Sequence, residues 1–488
     1  MSYLLGIDIG TSAVKASLLD TSTGLAAASS PIPDMEIPRY VLSPGWCEQE
    51  PNDWWEATRE AVLALPKEMR AQVIGIGIAY QMHGLVLIDK AGRPLRRSII
   101  WSDARATACG EHLYDEIGAD SFAALLNRPG NFTAAKLRWV RENEPEILTR
   151  VWRAILPGDY IAYRLTGEAV TTSTGLSEMM AWDFTHNALY APIWEAAGAS
   201  LDTAPPLVPI FGPQGKVSDG IATDLGLPNG TPVTYRAGDQ PNNALSLNVL
   251  EPGEMAATAG TSGVLYGVAG QVRHDPRERV NTFLHVNHLP STPRLGSLLC
   301  VNGAGGFYSW VRKTFQVASF PELNALAEAG EIGARGLIAL PYGNGAERSL
   351  ANRAPGAALF GIDVNRHGLP DIARAAQEGV LFALRYGADA LEELGGPIRL
   401  IRAGSSNMFK SELFCQSFAT VMNADLELLE TDGALGAARG AGIGVGVFKT
   451  FPEAFVGLRK LTTYHPRPGD QGAYTQAYAA WKAKLETL

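Results

Sequence analysis

Leu5-Gly6-Ile7-Asp8-Ile9-Gly10-Thr11-Ser12-Ala13-Val14-Lys15 decides how this chain begins to fold. Tyr3 to Ile9 is an apolar run broken by one carboxylate and reads as a buried strand, and Val14 to Leu19 reads as a second. Between them Gly10-Thr11-Ser12 is small and polar, so the opening is a β-hairpin with a tight first loop. A carboxylate at the end of a buried strand suits Mg²⁺, and the adjoining turn suits phosphate: its glycine admits a ligand and its N–H groups and hydroxyls donate. Asp8, Gly10, Thr11, Ser12 and Lys15 are therefore candidate site residues. The alternative is an Asp8 that only caps a hairpin turn.

Working outward, Asn52 to Leu65 has helical periodicity, with Trp54, Trp55 and Val62 available for one face. Val73 to Ala79 and Leu85 to Ile88 read as strands separated by Tyr80-Gln81-Met82-His83-Gly84. Strands then alternate with longer helical patterns, the mark of an α/β architecture. Pro205-Pro206-Leu207-Val208-Pro209 is an extended, proline-stiffened connection. A second strand-rich block begins near Thr231, and within it Gly260-Thr261-Ser262 repeats the Gly-Thr-Ser element of residues 10–12. A chain of 488 residues exceeds the usual single domain. The recurrence places a boundary near residue 246, giving domains 1–246 and 247–488. Pro370 to Glu393 and Leu435 to Phe448 read as helices of the second half.

Three further segments carry candidate chemistry. Gly238-Asp239-Gln240 follows the strand Pro232 to Arg236, so Asp239 is either a general base over a cleft or the N-cap of a helix over Asn242 to Leu247. Gly260-Thr261-Ser262-Gly263 is a second phosphate-sized loop. Arg402-Ala403-Gly404-Ser405-Ser406-Asn407 follows the strand Ile398 to Ile401. Its small residues allow a flat ligand against the backbone, with Asn407 on an adenine edge or ribose; otherwise they make a helix entry. The glycines of Gly440 to Gly446 lie inside a helical pattern and indicate close packing rather than a dinucleotide loop. His285 and His288 lack a nearby third ligand and do not read as zinc ligands. The GxSxG elbow and the GxxxxGK[ST] loop are both missing from the sequence, which removes the main support for a hydrolase or P-loop reading.

Composition narrows the classes. Hydrophobic residues are 46% and charged residues 19%, a globular mixture. The formal net charge of −9 argues against a nucleic-acid coat or an anionic-membrane binder. The four cysteines are scattered without a CxxC pair, which suits a reducing cytosol. The first residues lack a basic n-region, and no run of about 20 apolar residues appears, so a cytoplasmic protein with no membrane partner is expected.

In chain order, the segments resemble the FGGY carbohydrate kinase family, and within it most the members that phosphorylate xylulose. Leu5 to Ser12 is similar to the family's first phosphate motif, and Pro44-Gly45-Trp46-Cys47-Glu48-Gln49-Glu50-Pro51-Asn52-Asp53-Trp54-Trp55 to its PGWxEQxPxxWW stretch. Gln81-Met82-His83-Gly84 resembles the segment where a Met-His pair lies against the ketose. Trp101-Ser102-Asp103-Ala104-Arg105 resembles the sugar-side W-x-D-x-R pattern. Leu156 to Tyr160, Arg164 to Glu168, Gly238 to Gln240, Gly260 to Gly263 and Thr431 to Ala438 follow in family order. One segment departs: Ala403 to Phe409 stands where many of these members have a glycine run followed by Ala-Lys-Ser.

The resemblance implies an α/β fold of two ribonuclease-H-like (actin-type ATPase) domains flanking a catalytic cleft, with sugar mainly on residues 1–246 and nucleotide mainly on 247–488. It implies ATP and Mg²⁺, and phosphorylation of D-xylulose to D-xylulose 5-phosphate. Asp239 would be the general base, with Asp8, and Asp239 beside it, organising the metal. Met82, His83, Trp101, Asp103, Arg105 and Gln240 would meet the sugar. Gly10, Thr11, Ser12, Lys15, Gly260, Thr261 and Ser262 would cradle phosphates, and Gly404, Ser405 and Asn407 would meet the nucleoside. Other acceptors in the family, such as ribulose, gluconate or glycerol, are the nearest alternatives. An actin-like ATPase of non-metabolic role is a more distant one. Homodimers are frequent in the family, and no nucleic-acid partner is expected.

Overall fold

The structure, a computed structural model, describes every residue of the chain except 34, 119, 120, 346, 352 and 354. The described residues pack into two compact units. The first comprises Met1–Asn248, Phe283–Pro290 and Thr431–Leu458, and the second Val249–Thr282, Ser291–Glu430 and Arg459–Leu488. A single cut near 246 does not capture this division, because the chain returns twice to the first unit.

In the first unit one sheet runs in the order Val233–Gly238, Val73–Tyr80, Tyr3–Ile9, Val14–Asp20, Ala26–Ser29. The hairpin expected at the start is present, with Asp8 opposite Lys15 and Ile9 opposite Val14. Val73–Tyr80 runs parallel to both Tyr3–Ile9 and Val233–Gly238, and Tyr80 stands in register with Ile9 and with Gly238. The carboxyl ends of three strands therefore share one sheet edge, where open α/β sheets place ligands. The helix Pro51–Leu63 buries Trp54, Trp55 and Val62 as its periodicity requires.

The helix Gly433–Val445 returns to cover this sheet. Close approach is what its small residues provide: a Cβ on Gly6 would overlap the Ala434 carbonyl oxygen, and one on Gly77 the Ala437 carbonyl oxygen. Gly440 faces the Tyr235 ring in the same way. This is the helix-packing use of glycine rather than a dinucleotide loop.

The second unit repeats the plan. Its sheet carries, in order, Leu295–Val301, Gly263–Ala269, Glu254–Ala259, Leu400–Gly404, Asp425–Glu430 and Arg459–Tyr464. Glu254–Ala259 and Gly263–Ala269 form the antiparallel hairpin, with Ala259 opposite Gly263, and Leu400–Gly404 lies parallel to Glu254–Ala259. The 27-residue helix Leu369–Gly395 starts with Pro370 in its first turn and buries Val380, Leu381 and Leu384 in this unit's core. Among the described residues no helix is long and apolar enough to cross a membrane, and none of the four cysteines is in a disulfide.

Candidate active site

Asp8 is the penultimate residue of its strand, and Asp239 opens the helix Asp239–Ser246 directly after the strand Val233–Gly238. The helix thus starts three residues before the expected Asn242, with Asp239 in its first turn. Parallel pairing sets both carboxylates at the same edge of the sheet. Both are recessed yet keep some accessible surface. Burial and then the Asp432 charge raise the Asp8 pKa to about 6, with Lys15 opposing. Burial and then the Asp8 charge raise Asp239 to about 7, against hydrogen bonds from the main chain and side chain of Gln240. Gln240 therefore holds the Asp239 carboxyl, while its own Oε1 is buried without a hydrogen-bond partner.

Asp432 is a third carboxylate here that sequence reading did not single out. Its Oδ1 accepts from the Leu435 N–H at 2.9 Å as the N-cap of the returning helix, and its Oδ2 meets Lys15 Nζ at 2.5 Å. Lys15, expected on phosphate, is thus engaged in an ion pair. Gly433 lies so close to Asp8 that a Cβ would overlap the carboxylate.

The turn Gly10–Ser12 is tied to the acceptor-side segments. Thr11 Oγ1 accepts from Trp101 Nε1 at 2.8 Å and donates to Gln81 Oε1 at 3.3 Å. Gln49 Nε2 donates to the Thr11 carbonyl at 2.8 Å, and Gln49 Oε1 accepts from Gln81 Nε2 at 2.9 Å and from Trp54 Nε1 at 3.1 Å. Trp101 remains 44% exposed, a free aromatic face beside the turn. Met82 is buried against Gly238. His83 packs edge-on to Phe132 with ring centroids 4.6 Å apart, and its Nδ1 lies 3.0 Å from the Glu178 carbonyl oxygen.

Asp103 and Arg105 lie together, beside Glu48. They were expected to hydrogen-bond a sugar, but the Arg105 side chain is 1% exposed and fully engaged. Its guanidinium donates to both Asp103 oxygens and to Glu48, and stacks 3.9 Å from the Trp46 ring centroid. Asp103 Oδ2 also accepts from the Cys47 N–H at 2.5 Å. A buried ion pair with its hydrogen bonds made has little to offer a ligand. These residues brace the loop that carries Trp101.

Beneath Gln81–Gly84 lie buried polar residues that the sequence reading missed: Tyr80, Lys136, Asp159, Glu178 and Arg236. Arg236 and Asp159 form an ion pair of 2.9 Å. The available signals were an arginine inside the strand Val233–Gly238 and a lysine within Ala134-Ala135-Lys136-Leu137 of the helix Thr133–Asn143.

In the second unit, Gly260-Thr261-Ser262 forms the hairpin turn. The Gly305 N–H donates to the Gly260 carbonyl and the Gly306 N–H to the Thr261 carbonyl, both at 3.0 Å. The glycine-rich start of the helix Ala304–Thr314 therefore packs on the turn, another element the sequence reading passed over. Asn407 lies beside Gly260, where a Cβ would come 3.3 Å from its Nδ2. Residues 402–406 lead straight into a short 3-10 helix, Asn407–Lys410, after which Ser411 caps the helix Glu412–Met422. The structure thus gathers 260–262, 303–306 and 404–407 within one unit.

Among the described residues no group of three or more His, Cys, Asp or Glu is arranged to hold a metal. Asp8 and Asp239 nevertheless fit Mg²⁺, which takes one or two carboxylates and fills its remaining positions with water and substrate phosphate. Their raised pKa values show two carboxylates that a divalent cation would relieve.

Comparison with known proteins gives a consistent picture. Residues 3–246 match the N-terminal domain of the FGGY family of carbohydrate kinases, and residues 255–445 its C-terminal domain. A xylulose kinase from Bacillus subtilis (strain 168) is 30% identical, over 99% of this chain and 96% of that protein. The solved structure of a "xyloylose kinase" from Brucella ovis superposes with a TM-score of 0.90 at 28% identity, covering 99% of both chains. A gluconate kinase structure from Lactobacillus acidophilus reaches the same TM-score at 22% identity, covering 100% of this chain and 98% of that one, a likeness of fold.

Proposed function

This chain belongs to the FGGY family of carbohydrate kinases and is an ATP-dependent sugar kinase, and we propose that its acceptor is D-xylulose and its product D-xylulose 5-phosphate. The observation that carries this reading is the placement of Met82 and His83 at the carboxyl edge of the first unit's sheet, with Met82 packed against the glycine that precedes Asp239. The xylulose kinase of B. subtilis, similar over nearly the whole chain, supports the same acceptor.

Phosphoryl transfer asks a protein for positioning and charge stabilisation more than for covalent chemistry. Asp239 in its ionised form accepts the proton of the 5-hydroxyl as that oxygen attacks the γ-phosphorus, and the β–γ bridging oxygen leaves with ADP. A base with a pKa of about 7 is matched to neutral pH. Gln240 orients the Asp239 carboxyl, and its Oε1 is available to a sugar hydroxyl. His83, Met82 and Trp101 shape the acceptor pocket. In the first unit, the N–H groups of Thr11 and Ser12 and the Ser12 hydroxyl donate to phosphate oxygens, and Gly10 leaves room for the close approach. In the second, Gly260, Thr261 and Ser262 do the same, while Gly404, Ser405 and Asn407 meet the nucleoside. Asp8, with Asp239, would hold Mg²⁺, which when bound neutralises charge on the phosphates.

The test is ATP consumption against a panel of D-xylulose, D-ribulose, gluconate and glycerol. D-Xylulose is expected to accelerate consumption at least about tenfold, equivalent to about 1.4 kcal/mol off the barrier, with one phosphate placed on the 5-hydroxyl by NMR. A larger acceleration by another acceptor would replace xylulose and leave the kinase in place.

A further inference from the structure

His83 is held in an unusual state. Its φ is 62°, a left-handed conformation that a residue with a Cβ keeps only when its surroundings impose it. Two hydrogen bonds from outside its own loop hold it there. Lys136, wholly buried in the helix Thr133–Asn143, donates from Nζ to the His83 carbonyl oxygen at 2.6 Å. The Glu178 main-chain oxygen meets His83 Nδ1 at 3.0 Å; a carbonyl only accepts, so Nδ1 carries the proton. The Glu178 carboxyl faces the His83 N–H and the Tyr80 hydroxyl.

That carboxyl closes the helix Ser173–Glu178 and is 1% exposed. Neither oxygen makes a hydrogen bond of ordinary geometry, so its contact with the His83 N–H is long or bent. Oε2 lies over Gly238, where a Cβ would come within 2.9 Å of it, beside the Met82 side chain. The carboxyl therefore lies against Gly238, between the Met82 and His83 sides of the acceptor wall.

We propose that Glu178 and Lys136 form a buried clamp that fixes the left-handed His83 and the packing of Met82, and thereby sets how tightly the kinase holds its sugar. They are positioning residues, acting through His83. Burial pushes the Glu178 carboxyl well above its usual range and lowers the Lys136 amine to about 7, so the buried site disfavours the charged form of both groups. The proposal rests on His83 and Met82 facing the acceptor, as argued above.

Glu178→Ala, Glu178→Gln, Glu178→Asp and Lys136→Met are compared with the full-length enzyme, using whichever acceptor the panel above selects. A failure of the xylulose assignment is thereby seen first and separately. Glu178→Ala and Lys136→Met are expected to raise the acceptor KM about tenfold or more and to leave the ATP KM within about twofold, as removal of a buried hydrogen-bonding group on one side of a site requires. Glu178→Gln, which can still accept from the His83 N–H, should stay within about threefold of the parent, whereas Glu178→Asp reaches one methylene less and should resemble alanine. In a His83→Ala background, Glu178→Ala should add less than about twofold, because coupled residues are not additive. Equal changes in both KM values, full additivity with His83→Ala, or a Gln variant as poor as Ala would overturn the clamp. Where Glu178→Ala does not fold, the Gln and Asp pair decides: an Asp variant with the parent's acceptor KM overturns it.

Discussion

At Asp239, burial and the neighbouring Asp8 carboxylate lift the pKa from the ordinary 3.8 to about 7. The folded chain therefore holds a proton that the unfolded chain releases between about pH 4 and 7, so stability falls as pH rises through that window. Asp239→Asn removes the ionisable group. It should raise the melting temperature of the metal-free protein at pH 8 while changing it little at pH 4, as differential scanning calorimetry would read. The same variant should lose about 10²–10⁴-fold or more in sugar phosphorylation, since it has no base, with ATP affinity by titration calorimetry within a few-fold of the parent. A variant that kept its turnover would make Asp239 only a first-turn helix residue. Asp8→Asn removes the charge that opposes Asp239 ionisation, and should move the window of stability loss to lower pH.

At the scale of elements, glycine decides where helix and sheet meet. Gly6 sits under the returning helix, and an added Cβ would overlap the Ala434 carbonyl oxygen. Backbone cannot rotate out of the way as a side chain can. Gly6→Ala should destabilise by about 1–3 kcal/mol or more through overpacking. Gly472 lies in the helix Pro468–Glu486 with nothing within 4 Å of its Cβ position. There the same substitution should stabilise by about 0.4–1 kcal/mol by restricting the unfolded chain. Urea denaturation of the two variants would show opposite signs; equal signs would mean that the returning helix does not pack as described. The elements themselves were legible in advance. The long helix was expected over Pro370 to Glu393 and runs Leu369–Gly395, because amphipathic spacing over seven turns leaves little ambiguity. The start of the Asp239 helix was misplaced, because a carboxylate after a strand is equally a cap or a first-turn residue.

For the whole molecule, two ligand classes should be separable by their effects on stability. D-Xylulose at about 100 times its dissociation constant should stabilise by about 2.7 kcal/mol by mass action, and chelation of divalent metal should leave that protection in place while stopping phosphoryl transfer. Loss of both on chelation would give the metal a structural role in the first unit, contrary to the assignment of Asp8 and Asp239. Thermal shifts with sugar, with and without EDTA, are sufficient to decide.

What the sequence alone determined was local: a strand, a Gly-Thr-Ser turn and a second strand in each half, with Asp8 and Asp239 at strand ends. Such features are set by residues a few positions apart, through backbone preference and hydrophobic period. The tertiary structure decided which of the candidate groups remain available to a ligand. Lys15 is engaged by Asp432, 417 residues away. Asp103 and Arg105 satisfy each other inside a cage with Glu48 and Trp46. Glu178 and Lys136, unremarkable in sequence, meet at His83 across 95 and 53 residues. A buried polar group must find its partner wherever packing delivers one, and packing joins segments whose separation along the chain leaves no trace in local pattern.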